Sequence, residues 1–250
     1  MSYMRSLGSE DIDVEFVIVD NGSQDKTVSI IEKIFESMPR KESGKLVKLN
    51  KNLGTTKSRN IGLKQATGEF IVVCDSDTEY LDGKWQKIII FLQKNSEVGI
   101  AAPQLVLEDG VVQNSAKKFP SILDKLFKLR RLFRFCEYIG DYYKDLPSDE
   151  TKNVDTAISA FWIFDRKILQ KVGYFDERFF YAPEDLDYCL RVWQSGYKVS
   201  YYPFLKIRHK TQRLSYSKPL GNIAFLHFLG LGYYFLKHKY IVRPKTVKYY

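Results

Sequence analysis

The chain alternates short apolar runs with segments spaced for helices. Residues 14–19, VEFVIV, are rich in β-branched side chains and predict a buried strand that stops at the turn Asp20-Asn21-Gly22-Ser23. Val28, Ile31, Ile34 and Phe35 share one face of a helix predicted over 26–37. A loop over 39–44 leads to a second strand at 46–49. Thr55 or Thr56 is expected to cap a helix over 57–66 that Gly68 ends. FIVVC at 70–74 is a third strand and runs into Asp75-Ser76-Asp77. A helix at 83–94 and a strand at 98–107 follow.

The second half is less regular. It predicts an amphipathic basic helix at 121–138 and a strand at 157–164. A helix over 184–195 carries Leu186, Leu190 and Trp193, and a strand at 198–202 is bounded by Pro203. Residues 222–236 form an apolar, aromatic helix followed by Lys237, His238 and Lys239. Strands alternating with helices predict an α/β fold with a mostly parallel central sheet flanked by helices, and a C-terminal helical extension. The expected division is a domain over 1–215 and an extension over 216–250. In such sheets the site lies at the carboxyl ends of the strands, where Asp20 and Asp75 stand.

Composition narrows the class. Of 250 residues, 44% are hydrophobic and 28% charged, which excludes a disordered chain. The three cysteines, Cys74, Cys136 and Cys189, are isolated. They give neither a disulfide framework nor zinc spacing, and point to a reducing, cytoplasmic compartment. No apolar run reaches the roughly 18 residues of a membrane span. The net charge of +9 is unevenly placed: no Asp or Glu follows Asp187, while basic residues continue to Lys248. A second basic cluster, Lys117, Lys118, Lys125, Lys128, Arg130, Arg131 and Arg134, is opposed only by Asp124. Such surfaces attract phosphorylated small molecules, anionic lipid or nucleic acid. No recognition motif supports nucleic acid, which is not an expected partner.

Two acidic groups could carry chemistry. Asp75 and Asp77, alternate in sequence at a strand end, suit an oxygen-liganded Mg²⁺ or Mn²⁺ shared with substrate phosphates. Acidic turn residues also end many strands for conformational reasons alone. Glu184 and Asp185, with Asp187, open a helix. They favour its dipole, and one of them could serve as a general base toward an attacking hydroxyl. His209 lies beyond the next strand as a candidate metal ligand or phosphate contact. Cys189, on an apolar helix face, is expected in the core.

Five segments in order resemble family 2 glycosyltransferases of the GT-A fold. They are Val19-Asp20-Asn21-Gly22-Ser23-Gln24-Asp25; Asn52-Leu53-Gly54 with Ser58-Arg59-Asn60-Ile61-Gly62; Asp75-Ser76-Asp77; Gly173-Tyr174-Phe175-Asp176-Glu177; and Glu184-Asp185-Leu186-Asp187 through to His209. Lys118-Phe119-Pro120-Ser121 and the segment from Val154 to Ala160 resemble the rhamnosyltransferase-type subgroup, which often has Gly-Ala where this chain has Ser159-Ala160.

The resemblance implies roles. Asp20, with Asn21 and Ser23 in its turn, would hold the nucleobase or ribose of a UDP-, dTDP- or GDP-sugar, and Arg59 and Asn60 would lie near the nucleotide. Asp75 would contact the donor sugar and, with Asp77 and His209, the diphosphate-bound Mg²⁺ or Mn²⁺. Asp185 would be the catalytic base, with Glu184 orienting it or the acceptor. The implied reaction is an inverting displacement onto a glycan or lipid-linked acceptor in polysaccharide or cell-envelope synthesis. The basic helix and aromatic tail would suit peripheral contact at the inner face of the cell membrane. The family begins with a strand and helix before the strand at Val14. Residues 1–7 resemble only the tail of that helix, so the neighbours of the first strand are expected to have unpaired edges. The alternative is a catalytically impaired nucleotide- or carbohydrate-binding relative. A nucleotidyltransferase would bring a Gly-rich phosphate loop, and none is present.

Overall fold

A computed structural model describes residues 2–10, 12–38, 44–122, 143, 146–210, 222–239 and 244. Most of the expected basic helix over 121–138, with Lys125, Lys128, Arg130, Arg131, Arg134 and Cys136, lies outside the described residues.

Strand β1 (Phe16–Asp20) pairs in parallel with β2 (Gly44–Lys48) through helix α2 (Thr27–Glu36). Helix α3 (Thr55–Gln65) then leads to β3 (Phe70–Cys74) and β4 (Thr78–Gly83). Helix α4 (Trp85–Lys94) precedes β5 (Val98–Val106), which is buried along its whole length, as its apolar run requires. Short strands β6 (Ala116–Lys117), β7 (Lys152–Asn153) and β8 (Thr156–Ala157) come before β9 (Phe161–Asp165). Helices α5 (Arg166–Val172) and α6 (Glu184–Gln194), strand β10 (Lys198–His209) and helix α7 (Asn222–His238) complete the order. A short N-terminal helix, α1 (Ser2–Leu7), packs Tyr3 against Trp85 and Phe161.

The main sheet has six strands, in the order β3-β9-β5-β10-β4 with β7 also on β10. The α/β fold is as expected, but the sheet is mixed rather than mostly parallel. β5 and β10 run parallel, whereas β9 is antiparallel to β3 and β5, and β4 and β7 are antiparallel to β10. The pair β1-β2 forms a separate sheet. Among the described residues, neither the second edge of β1 nor that of β3 has a strand partner.

Glu15, just before β1, fastens the two sheets. One carboxylate oxygen accepts from the backbone N–H of Thr67, from Thr67 Oγ1 (2.8 Å) and from the N–H of Gly68 (2.8 Å). The other receives Lys45 Nζ of β2 at 3.3 Å. Arg166 closes the same corner by donating to the carbonyls of Ala66 and Gly68, at the end of α3.

Alternation along β9 feeds the two faces of the main sheet. Trp162 and Phe164 pack with Phe175, Tyr188, Leu190 and Tyr201, while Phe161 and Ile163 pack with Trp85, Ile88, Leu92 and Leu205. Cys189 is fully buried in the first cluster, as its helix face predicts. Helix α7 joins the same cluster through Tyr234, which is completely buried.

Some boundaries differ from the sequence reading. β10 continues through Pro203 to His209, because a register shift between Tyr202 and Lys206 absorbs the proline. The run at 157–164 is two strands, β8 and β9, belonging to different sheets. Gly83 ends β4 instead of opening the helix that follows.

Candidate active site

The site is assembled on α3. Its N-cap is Gly54, with no side-chain cap, so neither Thr55 nor Thr56 plays the expected capping role. Gly54 has φ +87°, and a β-carbon there would lie 2.4 Å from the carbonyl oxygen of Phe180. The freed threonines bind the same neighbour: Thr55 N–H donates to Phe180 O and Thr56 Oγ1 to Phe179 O. This contact sets the residue 175–183 segment, which leads into α6, against α3.

Asp20 is buried at the end of β1, and Asp20 Oδ2 accepts from Ser23 N–H at 3.1 Å. Asn21 turns toward α3, accepting from Leu53 N–H at 2.9 Å and donating to Asn52 Oδ1 at 2.9 Å. One turn further on, the Asn60 amide accepts from Phe175 N–H and donates to Phe175 O and Glu177 Oε1. Asn60, expected near the nucleotide, is thus a buried strut holding the segment before α6.

Arg59 lies at the centre. Its guanidinium donates to Asp75 Oδ1 at 2.6 Å and to Glu184 Oε1 at 2.9 Å. It also reaches Ser159 Oγ at 2.8 Å, and that hydroxyl donates to Glu184 Oε1 at 2.9 Å. One cation therefore joins the end of β3, the start of α6 and the turn before β9. Burial works against the Arg59 charge, but Asp75 and Glu184 outweigh it and raise its pKa further. Burial lifts the Glu184 carboxyl to about 7, with Asp185 adding to the rise while Arg59 and Ser159 oppose it. Asp185, beside it, is partly exposed, and its Oδ1 accepts from Leu186 N–H at 2.8 Å. Tyr181 is close enough to feel this group's charge. Burial raises its hydroxyl pKa, and Glu184, Asp75, Asp185 and Asp77 all add to the rise.

The Asp75–Asp77 turn is braced by backbone. Asp75 N–H donates to Ala160 O, Thr78 N–H and Oγ1 donate to Asp75 O, and Lys210 N–H donates to Asp77 O. Asp77 Oδ1 is buried without a hydrogen-bond donor and faces His209 Nε2 at 3.6 Å. Burial raises the Asp77 carboxyl above its ordinary value; His209 opposes this and Asp75 adds to it. His209 is buried, with Nδ1 2.8 Å from Gln113 Oε1, an acceptor. The Gln113 contact orients the ring so that Nε2 is turned to Asp77.

An orphaned carboxylate oxygen facing an imidazole nitrogen fits a divalent cation of the Mn²⁺ type, with remaining positions open to substrate oxygens. Asp75 Oδ1 is engaged by Arg59, and among the described residues no three His, Cys, Asp or Glu side chains form a ready-made cage. Asp77 and His209 are thus brought together, whereas Asp75 joins the arginine cluster.

Ser159, Gln113 and Tyr181 were not legible as site residues. Ser159 stood only as a small residue in a subgroup motif, and Gln113 and Tyr181 carry no local signal in the sequence.

A family description, "Glycosyl transferase family 2", matches residues 4–173. This chain belongs to glycosyltransferase family 2. The glycosyltransferase is 25% identical over 189 residues to the poly-beta-1,6-N-acetyl-D-glucosamine synthase of Staphylococcus epidermidis, covering 76% of this chain and 41% of that protein. It is 22% identical over 225 residues to the N-acetylglucosaminyl-diphospho-decaprenol L-rhamnosyltransferase of Mycobacterium tuberculosis, covering 86% of this chain and 72% of that protein. The chain thus spans less than half the length of some curated relatives that it matches.

Two solved structures share the fold. GalNAc-T7 with UDP, GalNAc and Mn²⁺ aligns with a TM-score of 0.61 at 14% identity, over 83% of this chain and 40% of that one. The mannosyltransferase of Pyrobaculum calidifontis in complex with GDP-Man and Mn²⁺ gives 0.58 at 18% identity, over 97% and 61%. The GT-A-like α/β fold follows from these matches.

Proposed function

We propose that this glycosyltransferase moves a sugar from a nucleoside diphosphate sugar to a hydroxyl of a glycan or lipid-linked acceptor, inverting the anomeric centre. The observation that carries this reading is the Arg59 cluster, in which Asp75 at a strand end and Glu184 beside Asp185 share one guanidinium. That arrangement supports reading Asp75 as the donor-side carboxylate and the Glu184–Asp185 pair as the acceptor side.

In the proposed reaction the acceptor oxygen forms a bond to the anomeric carbon as the bond from that carbon to the diphosphate breaks. Asp185, partly exposed, takes the acceptor proton. Glu184, with a carboxyl pushed up to about 7, and Ser159 hold Arg59 in place and position the acceptor. Asp20, Asn21 and Ser23 hold the nucleoside, and Asp75 contacts the donor sugar. Asp77 and His209 would hold Mg²⁺ or Mn²⁺, which supplies charge neutralisation for the departing diphosphate. The named relatives support polysaccharide or cell-envelope synthesis as the setting, and the Mycobacterium match supports a rhamnosyl-type donor among the candidates.

The test incubates the chain with UDP-, dTDP- and GDP-sugars, Mn²⁺ and lipid-linked or oligosaccharide acceptors, and reads the product anomer by NMR. Transfer with inversion, abolished in Asp185→Asn while donor binding persists, is the expected result. Donor binding without any turnover across the panel would replace this reading with that of a non-catalytic binder.

A further inference from the structure

Helix α7 is apolar on two sides: Tyr234, with Leu231, Tyr233 and Phe235, packs on the core, Lys237 and His238 of the last turn bind buried carboxylates, and a second apolar side faces out. Lys237 Nζ binds Asp187 Oδ1 at 2.5 Å and Asp176 Oδ2 at 2.7 Å, and His238 Nε2 meets Asp187 Oδ1 at 2.8 Å. Asp187, 1% exposed, also holds Arg191. Tyr233 OH donates to Asp176, and Gly230 brings the helix backbone against Ala182 and Pro183, where a β-carbon would come within 2.5 Å of Ala182 O. These contacts fix the rotation of the helix about its axis.

The opposite side is left outward. Phe225 is 62% exposed, Phe228 66%, Leu229 51% and Leu236 76%, and a β-carbon on Gly232 would meet nothing within 4 Å. At helical pitch these five positions fall within an arc of about 100° and run about 17 Å along the axis. An ordinary surface helix turns such a stripe to the core. Among the described residues nothing covers it.

Charge selects the occupant. Every Asp and Glu of the chain lies at or before Asp187, while Arg213 and Lys218 precede the helix and Lys239, Arg243, Lys245 and Lys248 follow it. A second copy docking on the stripe by two-fold symmetry would bring the same cationic flanks together. An anionic bilayer instead accepts the apolar side chains at the acyl boundary and the cations at the headgroups. No helix of the described residues is long and apolar enough to cross a membrane.

We infer that the outward stripe of α7, Phe225, Phe228, Leu229 and Leu236, is a docking surface for an anionic lipid bilayer. The docking stands without the proposed reaction. Its consequence for the acceptor rests on that reading: because α7 holds Ala182–Pro183 and Asp187, docking would present the Glu184–Asp185 pair to acceptors anchored in lipid.

The test mixes the full chain with phosphatidylcholine vesicles that either contain or lack phosphatidylglycerol, and measures co-sedimentation. The wild-type chain is expected to bind the phosphatidylglycerol vesicles, more weakly at high salt. The triple variant Phe225→Ser, Phe228→Ser, Leu236→Ser should lose on the order of tenfold or more in partition coefficient, since each aromatic or leucine side chain contributes through buried apolar area. These side chains are exposed, so the variant should keep the thermal midpoint of the wild type. A Phe228→Trp variant gives an independent readout, as quenching of its emission by brominated lipid. Absence of wild-type binding to anionic vesicles, or equal binding by the triple variant, overturns the assignment. So does a lipid-free wild-type dimer in sedimentation equilibrium that the triple variant dissolves, which would make the stripe a contact between copies. Calorimetry of UDP and GDP with Mn²⁺ on the same preparation tests the donor site separately.

Discussion

Replacing Glu15 by Gln tests how the two sheets are held together. The carboxylate gathers two backbone N–H groups and the Thr67 hydroxyl across the break between β1 and β3, and Lys45 from β2 on its own side. Burial opposes its charge, but the Thr67 and Gly68 donors outweigh that and hold its pKa down, from 4.5 to about 2. At about 1.4 kcal/mol per pKa unit the shift corresponds to at most about 3–4 kcal/mol. The side chain is 20% exposed and its lysine partner more so; with solvent screening about 1–2 kcal/mol is the expected contribution. Gln keeps an acceptor oxygen but loses the charge. The variant should therefore unfold about 2–8 °C lower at neutral pH, given about 2–4 °C per kcal/mol for a chain of this size.

The sign with pH follows from the depressed pKa. The contribution is complete above the ordinary carboxylate value and is lost as pH falls toward about 2. Urea titrations of wild type and Glu15→Gln, run side by side from neutral pH into acid, isolate it because all other carboxylates are common to both. The stability gap should be constant down to about pH 5 and then narrow. A gap smaller than about 0.3 kcal/mol at neutral pH would mean that the staple carries nothing, and a gap that persists unchanged in acid would mean that charge is not its source.

Three further outcomes are expected. Asp185→Asn should lower turnover by roughly 10²–10⁴-fold while calorimetric binding of nucleotide with Mn²⁺ is retained. Gln113→Ala removes the contact that orients the His209 ring, and should weaken Mn²⁺-dependent nucleotide binding by about 10–100-fold without changing the thermal midpoint in the absence of metal. Gly54→Ala meets both a positive φ and the Phe180 carbonyl, so a loss of about 2 kcal/mol or more in a denaturant titration is expected.

The comparison with the sequence reading turns on what each residue reports locally. β1, β3 and β5 were legible as continuous apolar runs, but of the three only β5 is buried throughout; β1 is mostly half-buried and β3 alternates between buried and open positions. β4, TEYLDG, was not, because an edge strand partly open to water needs no such run. Strand direction also left no trace: β9 has the same apolar composition whether it runs with or against its neighbours. Individual acidic residues at the site were readable as types at strand and helix ends. The bond from Arg59 to Glu184, 125 positions away, was not, since it depends on how α3 and α6 pack. Similarly, 222–236 was legible as an apolar helix, but the side it turns inward is decided by Asp176 and Asp187, which lie far away in sequence.

The break in strand pairing also bears on how the chain opens. β5 and β10 pair through a long buried register, with β9 and β4 on either side. Among the described residues β1 and β2 have only each other as strand partners, and they are only partly buried along most of their length. Amide hydrogens in β1 and β2 should therefore exchange through an opening that leaves the larger sheet intact, as a cooperative unit of lower stability. Asp20 belongs to that unit and Asp75 to the other. Nucleotide binding that spans both would slow exchange in β1 and β2 most, so the protection gained on adding nucleotide measures how far the ligand itself joins the two parts.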